Sequence, residues 1–163
     1  MDRYFYEELK CRCREINELP VDPDRVKEAL GVYLAILRLS VVARDEGLLA
    51  LEAEVNKPDP SVDPDGFLRM LILLVVDGLD PELLEEDGLC RYAALNASGY
   101  RGFILLMCIR GTLMIQFGHN RNTIATGLKA MCPPAILKAI EDHEEANKPD
   151  PVKTAVPGDD SGF

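Results

Sequence analysis

Aspartate-proline pairs cut this chain into helices before any other feature is weighed. Asp22-Pro23, Asp63-Pro64 and Asp80-Pro81 each set a side-chain acceptor where a helix leaves its first N–H groups unsatisfied. The proline that follows has a backbone angle suited to the first helical position. Between these starts the apolar residues recur at spacings of three and four, and strand alternation is weak throughout. The reading is all-α. It places a short helix over residues 3–18 and a long one over 23–55, whose apolar positions run Val26, Leu30, Tyr33, Leu34, Leu37, Val41, Leu48, Leu51 and Val55. A third helix is expected over 64–76, closed by Asp77-Gly78, and a fourth begins at Pro81. Helical patterns also cover 101–117, 123–131 and 134–146. The expected architecture is a bundle of about five to seven helices with the long helix as its spine.

At 163 residues one domain suffices, and 47% hydrophobic residues can build its core. Residues 1–147 are assigned to the helical domain. Residues 148–163, KPDPVKTAVPGDDSGF, are read as a disordered acidic tail, because proline, glycine and acid dominate there and little could be buried. From Glu141 onward seven acids face two bases, so this short stretch carries −5 of the formal net charge of −10. An acidic balance of that size argues against a nucleic-acid surface or an anionic membrane surface, both of which need a basic patch.

The first residues, Met1 to Glu8, contain no basic region followed by an apolar stretch, so no secretory signal is read there and a cytoplasmic location is expected. Cys11, Cys13, Cys90, Cys108 and Cys132 are odd in number and lack framework spacing, which fits reduced thiols. The longest charge-free apolar runs, 70–76 and 103–109, fall far short of the roughly 20 residues needed to cross a bilayer and read as buried core.

Residues suited to catalysis are scarce. Cys11 and Cys13 stand too close for the usual zinc pair, and no second pair of ligands lies near them in sequence. His119 falls in a polar turn and His143 in an acidic helix end, both read as surface positions. Gly99-Tyr100-Arg101-Gly102 is too lax for a phosphate loop, and the adjacent carboxylates Glu85-Glu86 and Glu144-Glu145 diverge around their helices. No enzyme activity, cofactor or metal is expected.

One run points toward a partner. Ala43-Arg44-Asp45-Glu46-Gly47-Leu48-Leu49-Ala50-Leu51-Glu52 places Arg44 and Glu52 eight residues apart. On a continuous helix that is a rise of about 12 Å with the two side chains on adjoining flanks. Gly47 between them costs a helix interior about 1 kcal/mol relative to alanine, implying close packing or a local kink. An ordinary amphipathic helix with solvated charges accounts for the same pattern.

The run from Ala43 to Glu52 resembles the cytoplasmic segment of the flagellar stator A subunit family (MotA, and PomA in sodium-driven motors). The block Phe67-Leu68-Arg69-Met70-Leu71-Ile72-Leu73-Leu74-Val75-Val76-Asp77-Gly78-Leu79-Asp80-Pro81-Glu82 is similar to the segment that follows it in that family. Arg110-Gly111-Thr112-Leu113-Met114-Ile115-Gln116-Phe117-Gly118-His119-Asn120, with Leu128 and Pro133-Pro134 beyond, resembles its C-terminal cytoplasmic stretch. The resemblance implies that Arg44 and Glu52 engage charged residues of a rotor switch protein, FliG in the family, and transmit force. The chain departs from the family in lacking a run of spanning length within 1–42 or between Pro81 and Arg110, and in carrying Arg121 where the family favours proline. The resemblance therefore implies the cytoplasmic scaffold without the channel. Two roles follow as expectations: a stator-like protein docking on a rotor, stator or related partner through Arg44 and Glu52, or a self-associating helical scaffold that forms a homodimer rather than a ring.

Overall fold

The computed structural model describes residues 1–57 and 59–149. Eight α-helices pack together, and no strand occurs among the described residues. They are α1 (Arg3–Glu18), α2 (Pro23–Glu46), α3 (Leu51–Val55), α4 (Phe67–Val76), α5 (Pro81–Leu95), α6 (Gly99–Gln116), α7 (Arg121–Met131) and α8 (Pro134–Ala146). A single 3-10 turn, Leu48–Ala50, joins α2 to α3. The all-α reading holds, with eight helices in place of five to seven. Most of the expected tail lies outside the described residues.

Local chemistry accounts for the boundaries. The Asp22 carboxylate accepts from the N–H groups of Asp24 and Arg25, at 3.2 and 3.4 Å, and Asp80 accepts from Leu83 at 3.0 Å. The third pair behaves differently from expectation. Asp63-Pro64 does not open α4, which begins only at Phe67 behind a left-handed Gly66. Asp63 still caps it, reaching forward to the N–H groups of Leu68 and Arg69 at 3.0 and 2.9 Å. At the far end Gly78 takes φ +85°, with Leu79 N–H donating to Leu74 O and Gly78 N–H to Val75 O. That double closure satisfies the last carbonyls of α4.

The long helix over 23–55 is corrected: it stops at Glu46. Gly47 adopts φ +91° and ψ 166°, outside helical space and strained for a residue with a Cβ, and the chain turns there into the 3-10 segment. Of the two outcomes a glycine offered at this position, kink or close packing, the kink is realised. Nothing lies within 4 Å of where its Cβ would be.

The spine is likewise not α2 but α6, which packs against α1, α2, α4, α5 and α7. Its residues 102–109 are all buried, as befits a helix apolar on every side. Arg101 and Arg110 bracket that run. Arg101 pairs with Asp65, and Arg110 Nε donates to Gly127 O at 3.2 Å. No helix among the described residues is long and apolar enough to cross a membrane.

Polar links fasten the outer helices to this centre. From α1, Glu8 accepts from the Tyr92 hydroxyl at 2.8 Å, Arg12 Nη1 donates to Ala97 O at 2.8 Å, and Glu15 accepts from Gly99 N–H. These three residues share one face of α1 and clamp α5 and the turn that leads into α6. At the opposite side, Glu144 of α8 accepts from Tyr33 Oη at 3.0 Å and pairs with Lys129 at 3.1 Å, tying α8 to α2 and α7. Burial raises the Tyr33 hydroxyl well above its ordinary range, and the hydrogen bond to Glu144 adds to the rise.

Glu144 has a testable consequence. Burial pushes its carboxyl up, but the hydrogen bonds from Lys129 and Tyr33 outweigh it, and the folded pKa lies below the ordinary glutamate value. A depressed folded pKa contributes stability that is present above the unfolded value of about 4.3 and lost as pH falls through the folded one. The advantage of wild type over Glu144→Gln in urea unfolding should therefore shrink from about pH 5 to about pH 3. A constant difference across that window would remove the ion pair from the acid limb.

Candidate functional site

Arg44 sits in the last turn of α2, where a cation is favoured by the negative end of the helix dipole. Its side chain is exposed, and Nη1 donates to Gly118 O at 2.7 Å. Gly118 closes α6 with φ +76°, while Gly118 N–H donates to Ile115 O and His119 N–H to Met114 O. The guanidinium thus ties the end of α2 to the turn that closes α6.

Glu52 lies in the first turn of α3, also exposed, with no ion pair or side-chain hydrogen bond among the described residues. The break at Gly47 means that Arg44 and Glu52 do not share a helix, so the two-turn spacing expected on a continuous helix does not apply. They flank the 3-10 turn instead. Between them Leu49 is 76% exposed, a large apolar side chain left in water. Phe117, the residue before Gly118, is 63% exposed, and its ring centroid lies 6.3 Å from that of His119.

Elements distant in sequence converge at this end of the bundle. Gln116 Nε2 donates to Leu79 O at 2.6 Å, joining the end of α6 to the turn between α4 and α5. The 3-10 turn and α3 both pack on α4. Asn120 caps α7 by accepting from Thr123 N–H at 2.9 Å, which leaves Arg121 at the first helical position. Segments 43–52, 67–82 and 110–120 therefore meet through Arg44–Gly118 and Gln116–Leu79.

Of the remaining candidates only His119 belongs to this face, beside Phe117 and Gly118. His143 is half-buried on α8 beside Glu144, whereas His119 is exposed at the α6–α7 turn. Cys108 is buried in α6, and burial lifts its thiol far above the usual range. Cys13 and Cys132 are half-buried, and burial pushes Cys132 up to about 12, so neither is poised as a nucleophile. Gly99-Tyr100-Arg101-Gly102 forms the first turn of α6, where Glu15 already occupies the Gly99 N–H. No cluster of three metal-ligating side chains occurs among the described residues.

The class defined by fold and site is an all-α protein with a charged, partly apolar end face. Comparison with models of protein families, with curated proteins and with solved structures gives no match.

Sequence reasoning missed Leu49, Phe117 and Gln116. Leu49 sits in a pattern that reads as helix until Gly47 breaks it. The signal for Phe117 was local: it directly precedes the glycine that ends α6.

Proposed function

We propose that this chain is a stator-like docking protein without a channel, which engages a rotor-switch protein through the face bearing Arg44, Leu49 and Glu52. One observation carries the reading: two exposed, opposite charges flank a leucine that is 76% exposed. An apolar centre with charged residues at its edge is the anatomy of a protein interface. Charges at such an edge govern encounter rate and register more than affinity, so the contact is salt-sensitive and modest. The sequence resemblance supplies the class of partner, and the convergence of the three resembling segments at one end of the bundle agrees with it.

A second reading draws on the Arg44–Gly118 bond. In a self-associating scaffold Arg44 serves the fold, latching the α6–α7 turn, and a homodimer forms without a motor partner.

Binding of a rotor switch protein to wild type and to the Arg44→Glu, Glu52→Arg double variant separates the two. Docking predicts about a tenfold loss of affinity at low salt, narrowing as salt rises. It also predicts that wild type and variant are equally monomeric by light scattering. Unchanged binding at low salt defeats the docking reading, and a wild-type dimer that dissociates in the variant establishes the scaffold.

A further inference from the structure

We propose that the cleft between α2, α3 and the start of α4 binds a small amphipathic anion, an apolar chain ending in one carboxylate. The cleft encloses about 390 Å³, within the roughly 300–1,000 Å³ usual for small-molecule sites. Gly31, Leu34, Ala35 and Arg38 line it from α2. Their spacing of three, four and seven puts them on one stripe of the helix. Val62 and Leu68 complete an apolar wall, and the exposed Arg38, Lys57 and Arg69 supply three positive charges against the three acids Glu54, Asp59 and Asp63.

Neither arginine forms an ion pair among the described residues, in a chain of net charge −10 where acidic partners abound. Arg69 gives one nitrogen to Asn56 Oδ1 at 3.1 Å, leaving other donors of its fork unused. The acids lining the same cleft are largely committed. Both oxygens of Asp63 accept from backbone N–H groups of α4, and Asp59 Oδ1 accepts from Ser61 N–H at 3.1 Å. Glu54 alone has no hydrogen-bond partner among the described residues. Unused capacity at the cleft is therefore chiefly that of donors, which suits an anionic head.

Gly31 is the second, independent observation. Glycine in a helix interior is destabilising, and close packing excuses it at Gly88, Gly102, Gly111 and Gly127, where an added Cβ would meet a neighbour at 3.2 Å or less. At Gly31 the nearest atom is Val62 Cγ2 at 3.9 Å, an ordinary contact. Packing does not require glycine there; the position lines the cleft, where a side chain much longer than alanine's would take up its space.

Decanoate titrated into the full chain, followed calorimetrically and by thermal shift, tests the assignment. Saturable binding is expected, with decanol and decyltrimethylammonium about tenfold weaker or worse. Gly31→Leu fills the cleft and abolishes binding, while Gly31→Ala raises Tm by about 2–4 °C. Arg38→Gln with Arg69→Gln weakens decanoate about five- to tenfold and leaves decanol unchanged. Failure of decanoate to saturate wild type overturns the proposal, as does equal affinity for the ammonium amphiphile or for folded Gly31→Leu.

Discussion

Phe103→Ala should lower the unfolding free energy by about 3–5 kcal/mol, the cost typical of deleting a buried ring. The side chain is fully buried in α6, and α6 packs against five other helices. Truncation therefore leaves a cavity whose walls belong to several elements and cannot easily collapse together. Alanine suits a helix better than phenylalanine, but that gain is a fraction of 1 kcal/mol, too small to offset the loss. Urea unfolding should show a lower midpoint at unchanged slope, and the melting temperature should fall by about 10 °C or more. A loss below about 1 kcal/mol would mean that α6 does not form the centre of the core.

The second large effect is expected at a polar residue. Arg12→Ala should cost about 2 kcal/mol, because it deletes a largely buried side chain and strips the half-buried Ala97 O of its donor and Glu15 of its counter-charge. The Arg12 side chain is only 16% exposed, and its guanidinium spans Ala97 O, at 2.8 Å, and the Glu15 carboxylate, at 3.0 Å. Without it, Ala97 O loses its donor and Glu15, which also accepts from Gly99 N–H, loses its counter-charge. Lysine should restore only part of the loss, since a single ammonium cannot reproduce the fork that meets both acceptors. Arg14→Ala, on an exposed position of the same helix, is the control and should stay within about 0.5 kcal/mol of wild type. Equal effects at the two arginines would show that the α1 clamp adds nothing beyond surface charge.

Helix starts were legible wherever a cap acts on its immediate neighbours. Asp22 and Asp80 hold N–H groups two or three residues ahead, so a dipeptide suffices to reveal them. Asp63 reaches five and six residues ahead, past Gly66, and the same dipeptide then misplaces the helix by three residues. The apolar run 103–109 announced its own burial, because no arrangement of a helix in water leaves every side apolar. It did not announce its centrality, which depends on how many neighbours share it.

The candidate face was legible only in its ingredients. Arg44 and Glu52 could be named, but their relation was drawn on a continuous helix that Gly47 breaks. A glycine at that point permits both a straight helix and a turn; the turn is the form in which α3, with Leu51 and Val55 buried, packs against α4. The Arg44–Gly118 contact joins residues 74 positions apart, beyond the reach of any local pattern.

What the chain determines by itself is its helical class, most helix starts and the burial of the run 103–109, whereas in 70–76 only Leu71, Ile72 and Val75 are buried. These follow from periodicity and from hydrogen bonds closed within a few residues. Tertiary structure alone decided that α6 is the centre, that Gly47 divides the expected long helix, that Arg12 is a clamp and that Gly31 opens a cleft. Each of these depends on atoms brought together by packing across large sequence separations, which composition and spacing do not encode one element at a time.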